Sequence, residues 1–388
     1  MDTSCNLSGN ATDVSLTKQL LVYLLDNFDF QADKYDSDNN PIQLIDKASG
    51  DMILFEVSYN TIEFAFAKAE RISEVEERLD TYFGIIQPYL QNHNHELQGW
   101  GVNPNWAKND NRPVKSPRYE MLMDFLELSK AKNDSFFHDY PEYASFICGS
   151  QVQLDISKTS YLRVLNAFNQ IEGPKAVLLA NSEFWGSDWD LALSRDVFWE
   201  NSMHGVFEEN AGVFPKVFKN EDDYFSYLSE TAIFTAKRGD ETYYFEPIRA
   251  KDYLSTPSIK AHSIRGEVVT IEPSEEDFKT HRSYQFQDLT TRGTVEFRSV
   301  CTQPFSSTFA PAAFHLGLLV NLVNLENILN DSPFFEALDY DYPRIRRLFS
   351  KKDISATDLK MILPLTESLL SCAEDGLKLR GFGEEVYL

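Results

Sequence analysis

The sequence predicts an α+β protein, and three observations carry that prediction. Segments with the two-residue alternation of strands, at 52–66, 150–157 and 294–299, are separated by long stretches with helical spacing of apolar residues. Their order is too irregular for a doubly wound parallel sheet. Neither GxGxxG nor GxxxxGK[ST] occurs anywhere, so the phosphate loops of the common α/β nucleotide binders are missing.

Residues 1–15 are small and polar and are expected to be disordered or loosely attached to a single domain over 16–388. A first helix is expected over 16–27, followed by KYDSDNNP, a loop by composition. MILFEVSYNTIEFAF, at 52–66, reads as one or two strands that set Glu56 and Glu63 among apolar and aromatic neighbours. An unpaired carboxylate in such surroundings is costly, so each needs a metal, a cation, a donor or water at a cleft. An internal salt bridge or a solvated strand face would serve equally.

Over 69–91, Val75, Leu79, Phe83, Ile86 and Leu90 fall at helical spacing. His93 and His95 follow in a polar loop without an evident third ligand, a weak basis for a metal site. Residues 97–106 read as a strand entering a Gly/Pro turn. The next helix begins near Pro117 and carries Arg118 and Tyr119 in its first turn, where anions are favoured over cations. Arg118 is therefore a candidate for holding an anionic ligand, with an ordinary surface arginine as the alternative.

From Ser150 onward, Gln151, Gln153 and Asp155 face one way and Val152, Leu154 and Ile156 the other, the pattern of a half-buried strand. A long helix is expected over 160–180. Arg195 lies beside aromatics, as a cation over a ring or an anion clamp. Residues 201–218 read as loop, 222–236 as helix, 241–245 as a short strand, 250–273 as a loop or rim, and 274–281 as a helix start capped by Ser274. The most apolar run, 309–325, is interrupted by His315, Asn321 and Asn324 and is short for a bilayer, so a buried helix and no membrane partner are expected. Helices are expected at 332–338 and from 342 to 349, with another over 356–379 interrupted at Pro364.

The stretch at 294–299 holds the strongest chemical signal. Thr294, Glu296 and Arg298 share one face, and Val295, Phe297 and Ser299 the other. That face is either a reactive surface or an edge strand with solvated charges and an internal ion pair.

Composition bounds the rest. With 29 Phe, 18 Tyr and 5 Trp in 388 residues, a ring-rich interior or an aromatic-lined site is expected. A net charge of −24 argues against a nucleic-acid partner, because phosphate-backbone affinity is cation-driven, yet it is compatible with a nucleotide substrate bridged by divalent metal. Four scattered cysteines without a CxxC pair, and no N-terminal signal pattern, lead to an expectation of reduced thiols in the cytoplasm.

Four segments in order also carry a resemblance: ILFEVSYNTIEFAFAKA, GWGVNPNWAKNDNRPVKSPRYEMLMDFL, CGSQVQLDIS with the later LLANSEFWGS, and QDLTTRGTVEFRSVCTQP, with GLKLRGFGEE near the end. Together they resemble the glutamate-cysteine ligase family of plants and many bacteria, within the glutamine synthetase-like superfamily. The resemblance implies a largely antiparallel curved sheet forming a cleft, flanked by helices. It implies ATP and Mg²⁺, and small-molecule substrates: glutamate with cysteine or another amine. Carried over by position, Glu63, Glu296 and Glu56 become metal ligands, Arg118, Arg195 and Arg298 the catalytic cations, and Gln151, Arg292 and Arg298 the nucleotide contacts. The family also has a Glu-x-Glu pair before its first helix, whereas residues 1–15 contain no glutamate. A γ-glutamyl ligase with another acceptor and a non-catalytic binding protein therefore stand as alternatives.

Overall fold

Asp13 begins the first helix by accepting hydrogen bonds from the backbone N–H groups of Ser15 and Leu16, the usual work of an N-cap aspartate. This helix belongs to a computed structural model that describes residues 5–6, 11–132, 134–279, 281 and 283–388. The described chain is mixed, 44% helical and 19% strand. Most of the segment expected to be loosely attached lies outside the described residues, but Cys5–Asn6 (β1) pairs antiparallel with His95–Glu96.

The first layer follows directly. Helix α1 (Val14–Asn27) buries Leu16, Leu20, Leu21 and Leu24 on one face. The antiparallel sheet β2 (Phe30–Tyr35), β3 (Pro41–Asp46), β4 (Met52–Phe55) and β5 (Ile62–Ala65) comes next, in that spatial order. KYDSDNNP is thus a hairpin rather than a plain loop: its ends extend the strands and its middle turns at 36–40, where Asp36 accepts from the N–H groups of Asp38 and Asn40. Helix α2 (Ile72–Gln91) packs its Leu79, Tyr82, Ile86 and Leu90 into the same aromatic-rich core. After β6 (His95–Glu96) the expected strand at 97–106 is mostly irregular, held by a single bridge from Val102 to Ile147. Helix α3 (Pro117–Glu127) begins on a proline, whose missing N–H costs nothing at a helix start.

The second layer is built on a three-stranded antiparallel sheet. Its strands are β7 (Val152–Asp155), β14 (Gln287–Leu289) and β15 (Thr294–Phe297), with β15 in the middle. One face of β15, Val295 and Phe297, is fully buried against the helical core. That core includes α4 (Tyr161–Gln170) and α5 (Glu172–Leu179), two helices where one was expected, separated at Ile171. After α5 and before β14 come α6 (Arg195–Glu200), β8 (Ala211–Gly212) and α7 (Glu221–Leu228).

A separate four-stranded antiparallel sheet forms from β9 (Ala232–Arg238), β10 (Glu241–Arg249), β11 (Ile259–Ser263) and β12 (Val268–Ile271), with α8 (Ala250–Tyr253) between β10 and β11. The expected helix over 222–236 therefore ends early, and the expected rim at 250–273 is partly sheet. Ile233, Ala236, Phe245, Ile259, Ala261 and Ile271 give this unit its own small core. A short parallel pair, β8 with β13 (Tyr284–Gln285), is the exception to the antiparallel rule among the described strands.

The apolar run forms α9 (Ala310–Val320) and α10 (Leu322–Asp331). No single helix among the described residues is long and apolar enough to cross a membrane, and this pair is bent by 88° at the break. Asn321 occupies the bend and donates its side-chain amide to the Cys372 carbonyl, 3.1 Å away. Then follow α11 (Phe334–Ala337), α12 (Tyr342–Phe349) and α13 (Ala356–Arg380). Pro364 does not interrupt α13, contrary to expectation: tertiary packing of Ile362, Leu365, Leu369, Ala373 and Leu377 holds the helix through it.

Helices α9 and α13 approach to backbone contact through Gly317 and Gly376. A methyl group on Gly376 would fall 2.0 Å from the Gly317 carbonyl oxygen. Gly376→Ala should therefore force the helices apart and lower stability by about 1–3 kcal/mol. An unchanged thermal midpoint would refute the close crossing.

Candidate active site

The site is organised by register across the second sheet. Glu296 on β15 faces Asp288 on β14 and Gln153 on β7, so all three side chains project from one face. Because β15 is central and Glu296 is only 5% exposed, the solvated-edge reading is overturned. A carboxylate so buried needs compensation. Arg298 supplies it: Nη2 donates to Glu296 Oε2 at 2.7 Å, and the same nitrogen stands 3.6 Å from Asp288. Nη1 donates to the Ser283 carbonyl at 3.2 Å. Both acids hold the guanidinium charged and raise its pKa against the opposing effect of burial.

The glutamine in contact with Glu296 is Gln153, while Gln151, which the resemblance assigns to the nucleotide, lies exposed one residue before β7. Gln153 donates to Glu296 Oε1 at 3.3 Å and accepts from Arg292 Nη2 at 2.7 Å, which fixes which end of its amide faces which partner. Arg292 itself is exposed in the 290–293 turn, where Gly293 takes the positive φ of 81° that closes the β14–β15 hairpin. Sequence alternation placed Gln151 and Gln153 on one face but gave no means of choosing between them.

A second group surrounds Tyr119. Its hydroxyl donates to Glu56 Oε2 at 3.1 Å. Burial pushes the phenol pKa far up; Glu56 and Glu63 add to this, and Arg118 opposes it. Glu56, Glu63 and Arg118 thus share one neighbourhood, with Arg118 exposed in the first turn of α3 and its guanidinium 5.7 Å from the Tyr119 ring centre. The first and second sheets are tied at their margins by Lys68 Nζ and Asp155, 2.6 Å apart. That pair is largely exposed and contributes little stability.

Among the described residues no three acidic, histidine or cysteine side chains gather as a metal cage. The expected ligand set Glu63, Glu296 and Glu56 is therefore not brought together as a preformed site. Glu296 is engaged by Arg298 and Gln153, and Glu56 accepts from Tyr119. These residues do not fit a resident Mg²⁺ as they stand.

Arg195, expected as a catalytic cation, is buried with its donors on the main chain. It is 6% exposed; Nη1 donates to the Val300 carbonyl at 2.9 Å and Nη2 reaches that of Arg298 at 3.4 Å. Gly149 lies so close that a methyl on it would meet Arg195 Nη2 at 2.4 Å. A second arginine grips the residue between. Arg346 Nη2 donates to the Ser299 carbonyl at 3.1 Å, so three successive carbonyls after β15 are each held by a guanidinium.

Arg346 belongs to a charged cluster that sequence reading missed. It is 1% exposed, forks onto Asp196 at 2.7 and 3.2 Å, and lies 3.1 Å from Glu172 Oε2 without hydrogen-bond alignment. Glu172 Oε1 accepts from Lys175 at 2.6 Å and from Ser299 at 3.2 Å. Burial lowers the Lys175 pKa, while Glu172 opposes that shift. The only available signal was two fragments, EGPK and RIRR, whose meeting requires the tertiary fold.

Glu200, beside this cluster, has its pKa pushed up to about 7, first by burial and then by Asp196, against Arg347 and Arg346. An acid with a raised folded pKa keeps a proton that the unfolded chain has already lost. Its contribution therefore makes the fold less stable as pH rises from the ordinary carboxylate range, near 4.5, to about 7. Glu200→Gln should flatten that slope in denaturant titrations across this window. An unaltered slope would assign the pH dependence elsewhere.

Two surface cavities lie away from these groups. One, of about 520 Å³, is lined by Asn324, Ile328 and Glu367, and the other, of about 460 Å³, by Phe136, His138 and Trp189; neither includes a predicted site residue.

Comparison with known proteins identifies the family. The model of the glutamate-cysteine ligase family 2 matches residues 15–358. The chain is 23% identical to a chloroplastic glutamate–cysteine ligase of Medicago truncatula over 302 residues, 75% of this chain and 54% of that protein. The Arabidopsis thaliana enzyme gives 23% over 302 residues, covering 75% of this chain and 53% of its own length. Glutamate–cysteine ligase A of Oryza sativa subsp. indica gives 21% over 383 residues, 96% of this chain and 72% of that protein. The chain spans about half the length of the first two relatives. With a family match over most of its residues, this chain belongs to the glutamate-cysteine ligase family 2.

Proposed function

We propose that the protein forms γ-glutamyl amides at the expense of ATP, most simply joining glutamate to cysteine in glutathione biosynthesis. The observation carrying this reading is the Glu296–Arg298 pair on a central strand, set beside Gln153 and Arg292, in a member of a ligase family. The reaction needs a phosphoryl group moved from ATP to the glutamate side-chain carboxylate, followed by attack of an amine on the acyl phosphate. Such chemistry asks a protein for alignment and positive charge more than for covalent help. Arg298 is the proposed anion-facing cation at the centre, and exposed Arg292 and Arg118 are suited to phosphate or carboxylate oxygens, which guanidinium forks match. ATP enters as its Mg²⁺ complex, a substrate rather than a resident group. The proposed setting is the cytoplasm, where buried thiols such as Cys301 and Cys372 stay reduced.

The test is incubation of the full chain with Mg–ATP, glutamate and a panel of amines that includes cysteine. Release of ADP with a γ-glutamyl product of matching mass is expected. No ADP above background with any amine would sink the reading. The masses also separate cysteine ligation from use of another acceptor.

A second reading has one specific observation in its favour. The three acids assigned as metal ligands do not gather. A non-catalytic member that binds an amino acid or nucleotide would need no such cage. Binding of Mg–ATP or glutamate without turnover would select it.

A further inference from the structure

We propose that Asp288 governs the availability of Arg298, acting as an internal rival that an incoming anion must displace. The inference deepens the ligase reading and rests on it only in taking Arg298 as the cation that meets substrate. Asp288 pairs in register with Glu296, so both carboxylates rise from the same face of the sheet. Arg298, two residues beyond Glu296, returns to that face and lies between them.

The two contacts are unequal. Nη2 makes a hydrogen bond to Glu296 at 2.7 Å, whereas Asp288 stands at 3.6 Å, within ion-pair range but beyond a hydrogen bond. Glu296 is thus the firm partner and Asp288 the one more readily replaced. The guanidinium is also not fully satisfied: its Nε is buried without an acceptor. A planar anion able to draw the group out of this position would relieve that deficit.

The charge balance points the same way. Asp288 and Glu296 both stand within ion-pair range of Arg298, and among the described residues the Lys68 ammonium on this face is engaged by Asp155. A phosphate or carboxylate approaching Arg298 meets the field of Asp288 at close range, where like-charge juxtaposition is costly. Asp288 is accordingly a positioning residue. It holds Arg298 in place when no anion is bound and weakens anion binding as the consequence.

The sign of this effect separates it from simple structural support, since removing a merely structural residue weakens binding. Calorimetry on the full chain with Mg–ATP and with glutamate should find that Asp288→Asn binds at least one of them roughly tenfold more tightly. Asp288→Glu, which keeps the charge, should stay near the parent, and thermal midpoints establish that each variant is folded. In an Arg298→Ala background, Asp288→Asn should bring no further gain.

Unchanged or weaker binding in folded Asp288→Asn overturns the proposal, as does an equal gain without Arg298. Loss of Mn²⁺ binding in the same variant, read by electron paramagnetic resonance, also overturns it by making Asp288 a metal ligand. The ligase reading fails or stands separately. Parent protein that releases ADP while Asp288→Asn shows no tightening rejects only the role of Asp288. Binding that appears only in Asp288→Asn supports that role and counts against catalysis by the parent.

Discussion

Glu296→Gln should reduce ADP release by at least about a hundredfold, the usual scale for losing one preorganised electrostatic group, while the chain stays folded. The substitution removes one charge with almost no change in volume. Its amide oxygen can still accept from Arg298, and Asp288 remains within ion-pair range to offset the guanidinium. The backbone would barely respond, because Val295 and Phe297 on either side are sealed into the helical core. What changes is the charge at the centre of the Gln153–Glu296–Arg298 row. Turnover measured beside a thermal midpoint checks both parts. Activity near that of the parent would mean that this strand face is not where the reaction occurs.

Arg346→Ala should have the largest effect on stability, a loss of about 3–5 kcal/mol, because removing one member strands the others as buried charges. Asp196 would lose its two-point partner, Glu172 would keep only Lys175 and Ser299, and the Ser299 carbonyl would lose its donor. Desolvated charges left in this way cannot be rescued by water without opening the core. Arg346→Lys should recover only part of the loss, since an ammonium group cannot span Asp196, the Ser299 carbonyl and the Glu172 carbonyl, to which Nη1 donates at 2.8 Å, all together. The midpoint of guanidinium chloride unfolding gives the number. A change below about 1 kcal/mol would show the cluster to be a bystander.

These two residues also mark what could be read from the chain. Glu296 and Arg298 were legible because strand alternation is local: a period of two assigns faces without knowledge of partners. The amphipathic helices α1 and α2 were legible for the same reason. Arg346 was not, since RIRR in an amphipathic helix reads as a solvated face until α5 and α6 are packed against it. Arg195 was legible only in part. The aromatic neighbourhood was visible, but the use of its donors on main-chain carbonyls depends on where residues 298–300 run. Strands β11 and β12 were under-read because they are short and their polar positions resemble loop. Choosing Gln153 over Gln151 required register, which period alone cannot supply.

The contact between Gly149 and Arg195 has an evolutionary consequence. Even one carbon on residue 149 would occupy the place of the Arg195 guanidinium. The two positions should therefore vary as a unit across descendants: a lineage that acquires a side chain at 149 must shorten or redirect the one at 195. Losing that arginine would take the side-chain donor from the carbonyl of residue 298, while that of Val300 would keep the Ser150 N–H, so the same lineage should also carry a new donor for residue 298. Substitution histories at these positions would record how the strand end bearing Arg298 has been kept in place while the surrounding sequence drifted.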